Sequence, residues 1–163
     1  AQGVQGPGGP AGPRGPEGPR GISGFDVIPP GTTIHGVVGA DYHAAAANSQ
    51  WGIASSLQAI APMPFNNETV VIKNNTVVDN DCNGASCLSS EELAYSAQCT
   101  GSAEAPTAPP GWLCIYPVAA TNAFELRALS LPGGNGLYGF TARWTAHTVG
   151  RSFFRGVWAY TAP

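Results

Sequence analysis

Asp79-Asn80-Asp81-Cys82-Asn83-Gly84 sets oxygen-bearing side chains at alternate positions and follows them with glycine. That is how a calcium loop opens: the oxygens converge on a hard cation and glycine makes the sharp turn. Asp79, Asp81 and Asn83 are therefore candidate calcium ligands. The EF-hand form is excluded, because Ser90 holds the place of its closing glutamate and Glu91 lies one residue too far. An Asn/Asp/Gly turn explains the same residues without a metal. Cys82, Cys87, Cys99 and Cys114 follow, with no Cys-x-x-Cys and no histidine nearby, which argues against zinc. Sequence permits three disulfide pairings. The two local ones, Cys82–Cys87 and Cys99–Cys114, are preferred, since each closes a Gly/Pro/Ser-rich loop with little apolar content to fix it.

Other chemistry-bearing patterns carry less. Gly134-Asn135-Gly136-Leu137-Tyr138-Gly139 fits G-x-G-x-x-G, but a strand pattern follows it instead of the required helix, so it reads as a hairpin turn. His35, His43 and His147 are far apart and read as surface or interface residues, unless symmetry brings copies together around a metal or anion. No G-x-S-x-G or H-E-x-x-H occurs, so catalysis has no visible acid–base signature and the expectation is a non-enzyme without a cofactor. The aromatics Trp51, Trp112, Trp144, Trp158, Phe153, Phe154 and Tyr160 could line a glycan-binding face. At strand spacing they read first as core or subunit interface.

The elements that must position these residues read as β-strands. Thr32 to Ala40 alternates, with Ile34, Gly36, Val38 and Ala40 on one face. Val70 to Val78 is β-branched and broken at Asn74-Asn75, Leu113 to Val118 is short and apolar, and Phe124 to Leu131 alternates around Arg127. Tyr138, Phe140, Ala142, Trp144 and Ala146 share a face, and Phe153 to Thr161 is dense in aromatics. Period two between frequent Gly/Pro/Asn breaks predicts an antiparallel all-β sandwich over 27–163. Ser89 to Ala94 resembles one capped helical turn, and Ala44 to Ala47 is ambiguous.

Composition narrows the partners. Net charge is −3 without a Lys/Arg cluster, which argues against nucleic acid, and no apolar run approaches the ~18 residues of a membrane span. Only 10% of residues are charged although 43% are hydrophobic, against about 25% charged in typical domains. A surface short of charge fits one covered by neighbours. Acids dominate 68 to 104, where Lys73 is the one base, while Arg127, Arg143, Arg151 and Arg155 follow Glu125 with no acid among them. An oligomer could set these regions against each other, but solvated surface is the simpler and preferred explanation.

Residues 1–26 give the number of neighbours. Glycine stands at 3, 6, 9, 12, 15, 18, 21 and 24, with Pro7, Pro10, Pro13, Pro16 and Pro19 directly after five of them. Proline fixes φ near the polyproline II value, and glycine at every third place fits the crowded axis of three wound chains. The repeat resembles the collagen triple helix and predicts a homotrimer, each chain joined by two identical ones. Eight triplets span roughly 70 Å at about 3.1 Å per residue, a helix expected to be marginal alone. The chain opens inside the repeat, so it reads as part of a longer protein with any signal or anchor upstream.

Further stretches carry a closer resemblance. Cys99-Thr100-Gly101, Pro106 to Tyr116, Gly31 to Gly39, Pro62-Met63-Pro64-Phe65 and the ending Gly156 to Pro163 resemble segments of bacterial collagen-like and related exported proteins. Ser152 to Tyr160 is similar to the last strand of the trimeric jelly-roll heads of the complement and tumour-necrosis-factor kind, although the four cysteines and the loop 79–111 depart from those heads. The resemblance implies an extracellular or cell-surface protein whose 27–163 head trimerises and nucleates the stalk. Tyr138, Phe140, Trp144, Phe153, Phe154, Trp158 and Tyr160 are the expected interface residues. The rival expectation is an adhesin or phage-fibre tip whose loops bind a host protein or glycan.

Overall fold

The structure is a computed structural model that describes residues 2–4, 8, 9, 11–18, 20, 21, 23–73, 97–131 and 135–163. The described residues form seven strands: β1 (Thr33–Ala44), β2 (Ser49–Ser56), β3 (Val70–Ile72), β4 (Leu113–Thr121), β5 (Phe124–Ser130), β6 (Gly139–Ala146) and β7 (Gly150–Thr161). They make two sheets, ordered β1-β7-β4-β3 and β2-β6-β5. The all-β expectation holds, and the two layers fit a β-sandwich. The calcium candidates, Cys82–Cys87 and the helical turn at 89–94 fall outside the described residues.

Pairing is nested. β1 lies antiparallel to β7 from Thr33↔Thr161 to Ala44↔Gly150 without a slip. Inside that pair, β2 lies antiparallel to β6 from Ser49↔Ala146 to Ser56↔Gly139. β4 and β5 then add to β7 and β6. One pair departs from the antiparallel expectation: β3 runs parallel to β4 over Val70↔Leu113 to Ile72↔Ile115. The long chain between them allows it, because a parallel neighbour needs a crossover where an antiparallel one needs only a turn.

Side-chain alternation decides which faces meet. Along β1, Val38 and Ala44 are buried and Ile34, Ala40 and Tyr42 half-buried, while Thr33, His35, Val37, Gly39, Asp41 and His43 are exposed. The inward faces of both sheets close on one core: Leu113 and Ile115 of β4 with Phe154, Trp158 and Tyr160 of β7, against Leu126 and Ala128 of β5 with Phe140, Ala142 and Trp144 of β6. Trp158 meets Phe140 edge to face at 5.8 Å between centroids, and Trp144 lies 6.0 Å from Phe154.

Both buried indoles keep their hydrogen bonds. Trp144 Nε1 donates to Ser152 Oγ at 2.9 Å, and that hydroxyl donates to Asn122 O at 2.7 Å. Trp158 Nε1 donates to Val37 O at 3.2 Å. An unmade bond at such depth costs about 1–3 kcal/mol, so these contacts fix where each ring can lie. Gly36 is part of the same fit: a Cβ there would stand 2.4 Å from Trp158 Cζ2.

β2 carries no strong sequence signal. Only Trp51 and Ile53 break a run of small and polar residues. It is held from outside, by pairing to β6 and by Tyr42 stacked on Trp51 with centroids 4.5 Å apart. Pro117 stands in β4 where the register shifts against β7, a place where its missing N–H breaks no regular ladder.

Candidate subunit interface

The outward face of the β1-β7-β4-β3 sheet is one surface open to a partner, through Val37 and Val118. Part of that face is covered by the chain itself. Cys99 is joined to Cys114 of β4 by a disulfide, as expected from the loop it closes. Both cysteines are fully buried, in a second cluster with Val71 and Tyr116 beneath Ala103, Ala108 and Trp112. Residues 97–112 thus form a strap over β4 and β3.

Polar contacts tie the strap down. The Tyr116 hydroxyl donates to Thr107 O and accepts from Gly101 N at 3.1 Å. Thr161 Oγ1 donates to Ala108 O at 2.8 Å, Gly111 N donates to Thr161 O at 2.8 Å, and His35 Nε2 meets Pro106 O at 3.0 Å. At Gly101 a Cβ would stand 2.6 Å from Thr107 N, so the strap folds tightly on itself.

Beyond the strap the sheet exposes apolar side chains. Val37 is 76% exposed and Val118 48%, with Gly39 between Val37 and Asp41. Together with Val157 and Arg155 they line an open depression of about 470 Å³. Glycine at 39 is required by the neighbouring strand: a Cβ would lie 2.6 Å from Phe154 O. Its missing side chain deepens the depression.

One end of the depression is charged. Arg151 Nε and Nη2 both donate to the Asp41 carboxylate, with Nη2 at 2.5 Å from Oδ2, and Arg155 Nη2 stands 3.9 Å from the same oxygen. Phe153 lies between the two arginines, their Cζ atoms 4.7 and 5.4 Å from its ring centre. The hydrogen bonds from Arg151 hold the Asp41 carboxyl below its usual range, and Asp41 in turn raises the guanidinium. Two arginines share one carboxylate, leaving the rim with a net positive charge.

The expected interface aromatics divide. Phe140, Trp144, Phe154, Trp158 and Tyr160 are each 1% exposed or less within one chain. They belong to the core between the sheets, and their side chains have no surface left for a neighbour. This corrects their assignment to a subunit seam: alternation marks a buried face without saying whether the chain or a partner buries it. Tyr138, at 53% exposed, and half-buried Phe153 retain surface.

The remaining candidates are dispersed. His147 stacks on Phe124 with centroids 3.6 Å apart, while His35 and His43 sit eight residues apart on the outward face of β1. The structure pairs β5 and β6 antiparallel on either side of the Gly134–Gly139 motif, and Asn135–Leu137 forms a 3-10 turn, as the hairpin reading expects. Sequence reasoning missed Val37, Val118 and Asp41. Val37 and Asp41 stand on the polar side of an alternating strand, where an exposed valine is the signal that could have found the patch. Among the described residues no group of three or more His, Cys, Asp or Glu could hold a metal, and no helix is long and apolar enough to cross a membrane. Comparison with known protein families, curated proteins and solved structures yields no match for this chain.

Proposed function

We propose that this protein is an assembly element: a β-sandwich head that joins three identical chains and starts the winding of a collagen-like stalk. One observation carries it. Nothing lies within 4 Å of where a Cβ would begin at Gly3, Gly9, Gly12, Gly15, Gly18 or Gly21. At these six positions no described neighbour calls for glycine, whereas an axis shared by three chains does.

The junction supports a head that sets the register. Asp26 N donates to Ser23 O at 2.9 Å, Ser23 N donates to the Asp26 carboxylate at 2.8 Å, and Ile60 N donates to Asp26 O at 3.0 Å. Ile28 is fully buried and Gly31 N donates to Ala162 O at 2.9 Å. The last triplet is thereby bonded to the body of the head. Three heads in contact would hold three first triplets level, offsetting the association entropy that opposes a short triple helix.

The nested pairing of β1 with β7 and β2 with β6 supports a jelly-roll-like wrap. The buried disulfide suits an exported or cell-surface setting. Sedimentation equilibrium tests the proposal. The full chain should weigh three times its 16.7 kDa. Residues 27–163 alone should also sediment as a trimer if the head drives assembly. A monomeric full chain would overturn the reading.

A further inference from the structure

We infer that the bare depression on the outward face of β1, β7 and β4 is where a second copy of this chain packs. The inference rests on the trimer reading above and adds the surface that carries it. Val37, Gly39, Val118 and Val157 form its apolar floor and walls, and Arg155 with Asp41 forms its rim.

Three observations select this occupant. First, the repeat at 3–26 calls for two more copies and for no other partner. It leads into β1, the strand that carries Val37 and Gly39, with only the short junction 27–32 between. Each copy's β1 is thus carried to the neighbourhood of the common axis.

Second, the chain covers the rest of this sheet face for itself. The strap buries Tyr116, Cys114 and Val71 beneath it and stops short of Val37 and Val118. A long edge strand with an exposed valine beside an apolar hollow is an association surface unless something shields it. Part of the β1 edge is already blunted: Gln58 Nε2 donates to His35 O at 2.5 Å and Ser55 Oγ donates to Val37 O at 3.3 Å. The edge is closed to strand addition there, while the face remains open to side-chain packing.

Third, threefold symmetry requires a heterologous contact, in which one surface of a copy meets a different surface of the next. Met63 and Tyr138 offer such a second surface. They are 56% and 53% exposed, in segments joined by Leu57 N to Tyr138 O at 2.8 Å and Ala61 N to Leu137 O at 2.9 Å. The charged rim fits the edge of an interface, where a solvated ion pair sets orientation more than affinity.

The test is the concentration at which the full-length trimer half-dissociates, followed by sedimentation. Val37→Asp and Val118→Asp are compared with Val149→Asp, a control on a turn valine that is 62% exposed. All three sites are open in one chain, and circular dichroism of the sheet verifies that each variant is folded. The two depression variants should raise the midpoint at least tenfold and the control should leave it unchanged. A wild-type trimer that tolerates both Val37→Asp and Val118→Asp would overturn the surface and leave the trimer standing. A monomeric wild type would overturn both. Equal weakening by Val149→Asp would assign the effect to added charge and overturn the surface.

Discussion

Tyr160 illustrates what a single buried side chain contributes. It is 1% exposed, its ring meets Phe65 edge to face at 4.9 Å, and burial pushes its phenol from 10.0 up to about 12. The neutral form is the one the core accepts. An unfolded chain would release the proton near pH 10, whereas the folded one keeps it to about 12. Its contribution is therefore complete below the unfolded value and is lost as pH rises through the folded one. Stability should begin to fall above pH ~10 and continue falling toward the folded value. Tyr160→Phe should lose part of that alkaline slope, measured as denaturant midpoints from pH 8 to 11. An unchanged slope would show that other groups carry it. Trp158 belongs to the same interior, so a charge placed there would disturb the core before it touched any seam.

At the scale of elements, the strap 97–112 depends on one covalent tie more than the strands do. Its apolar contacts are few and its residues mostly small, so the Cys99–Cys114 link, spanning 15 residues, restrains it most. A loop of that length is worth about 3 kcal/mol of unfolded-chain entropy. Cys99→Ser with Cys114→Ser should lower unfolding stability by about that amount. Limited proteolysis should then cut between 97 and 112 while the sheets persist. Strap cleavage no faster than in the wild type would give the hold to Tyr116 and Thr161 instead. The strands were unevenly legible from sequence. β1, β6 and β7 declare themselves because one face is apolar at period two. β2 does not, since its place is decided by pairing with β6 and by the Tyr42–Trp51 stack, neither of which a local pattern contains. The parallel β3–β4 pair is hidden for a similar reason: it depends on a crossover longer than any sequence window. The Cys99–Cys114 tie was legible because closing a short, apolar-poor loop is a local matter. Whether Trp144 and Trp158 are buried inside the chain or between chains was not legible, because the same pattern satisfies both.

The proposed assembly joins two kinds of order, one complete within a chain and one that, in a wound stalk, would need three chains. The sandwich buries Trp144 and Trp158 and satisfies their indoles, while Gly3, Gly9, Gly12, Gly15, Gly18 and Gly21 of the repeat stand in open space. The two should therefore respond separately to substitution. Gly12→Ala meets nothing within 4 Å in the single chain, so it should leave the sheet's unfolding midpoint unchanged. In a wound stalk the same methyl enters the crowded axis from all three chains at once. With only eight triplets to share the strain, the triple-helix circular dichroism signal should melt at a markedly lower temperature or vanish. The mass by sedimentation should stay trimeric if the heads hold the chains together, and should fall to the monomer if the stalk does. Absence of any triple-helix signal from the wild-type chain would mean that residues 3–26 do not wind, and the spacing of their glycines would then need another cause.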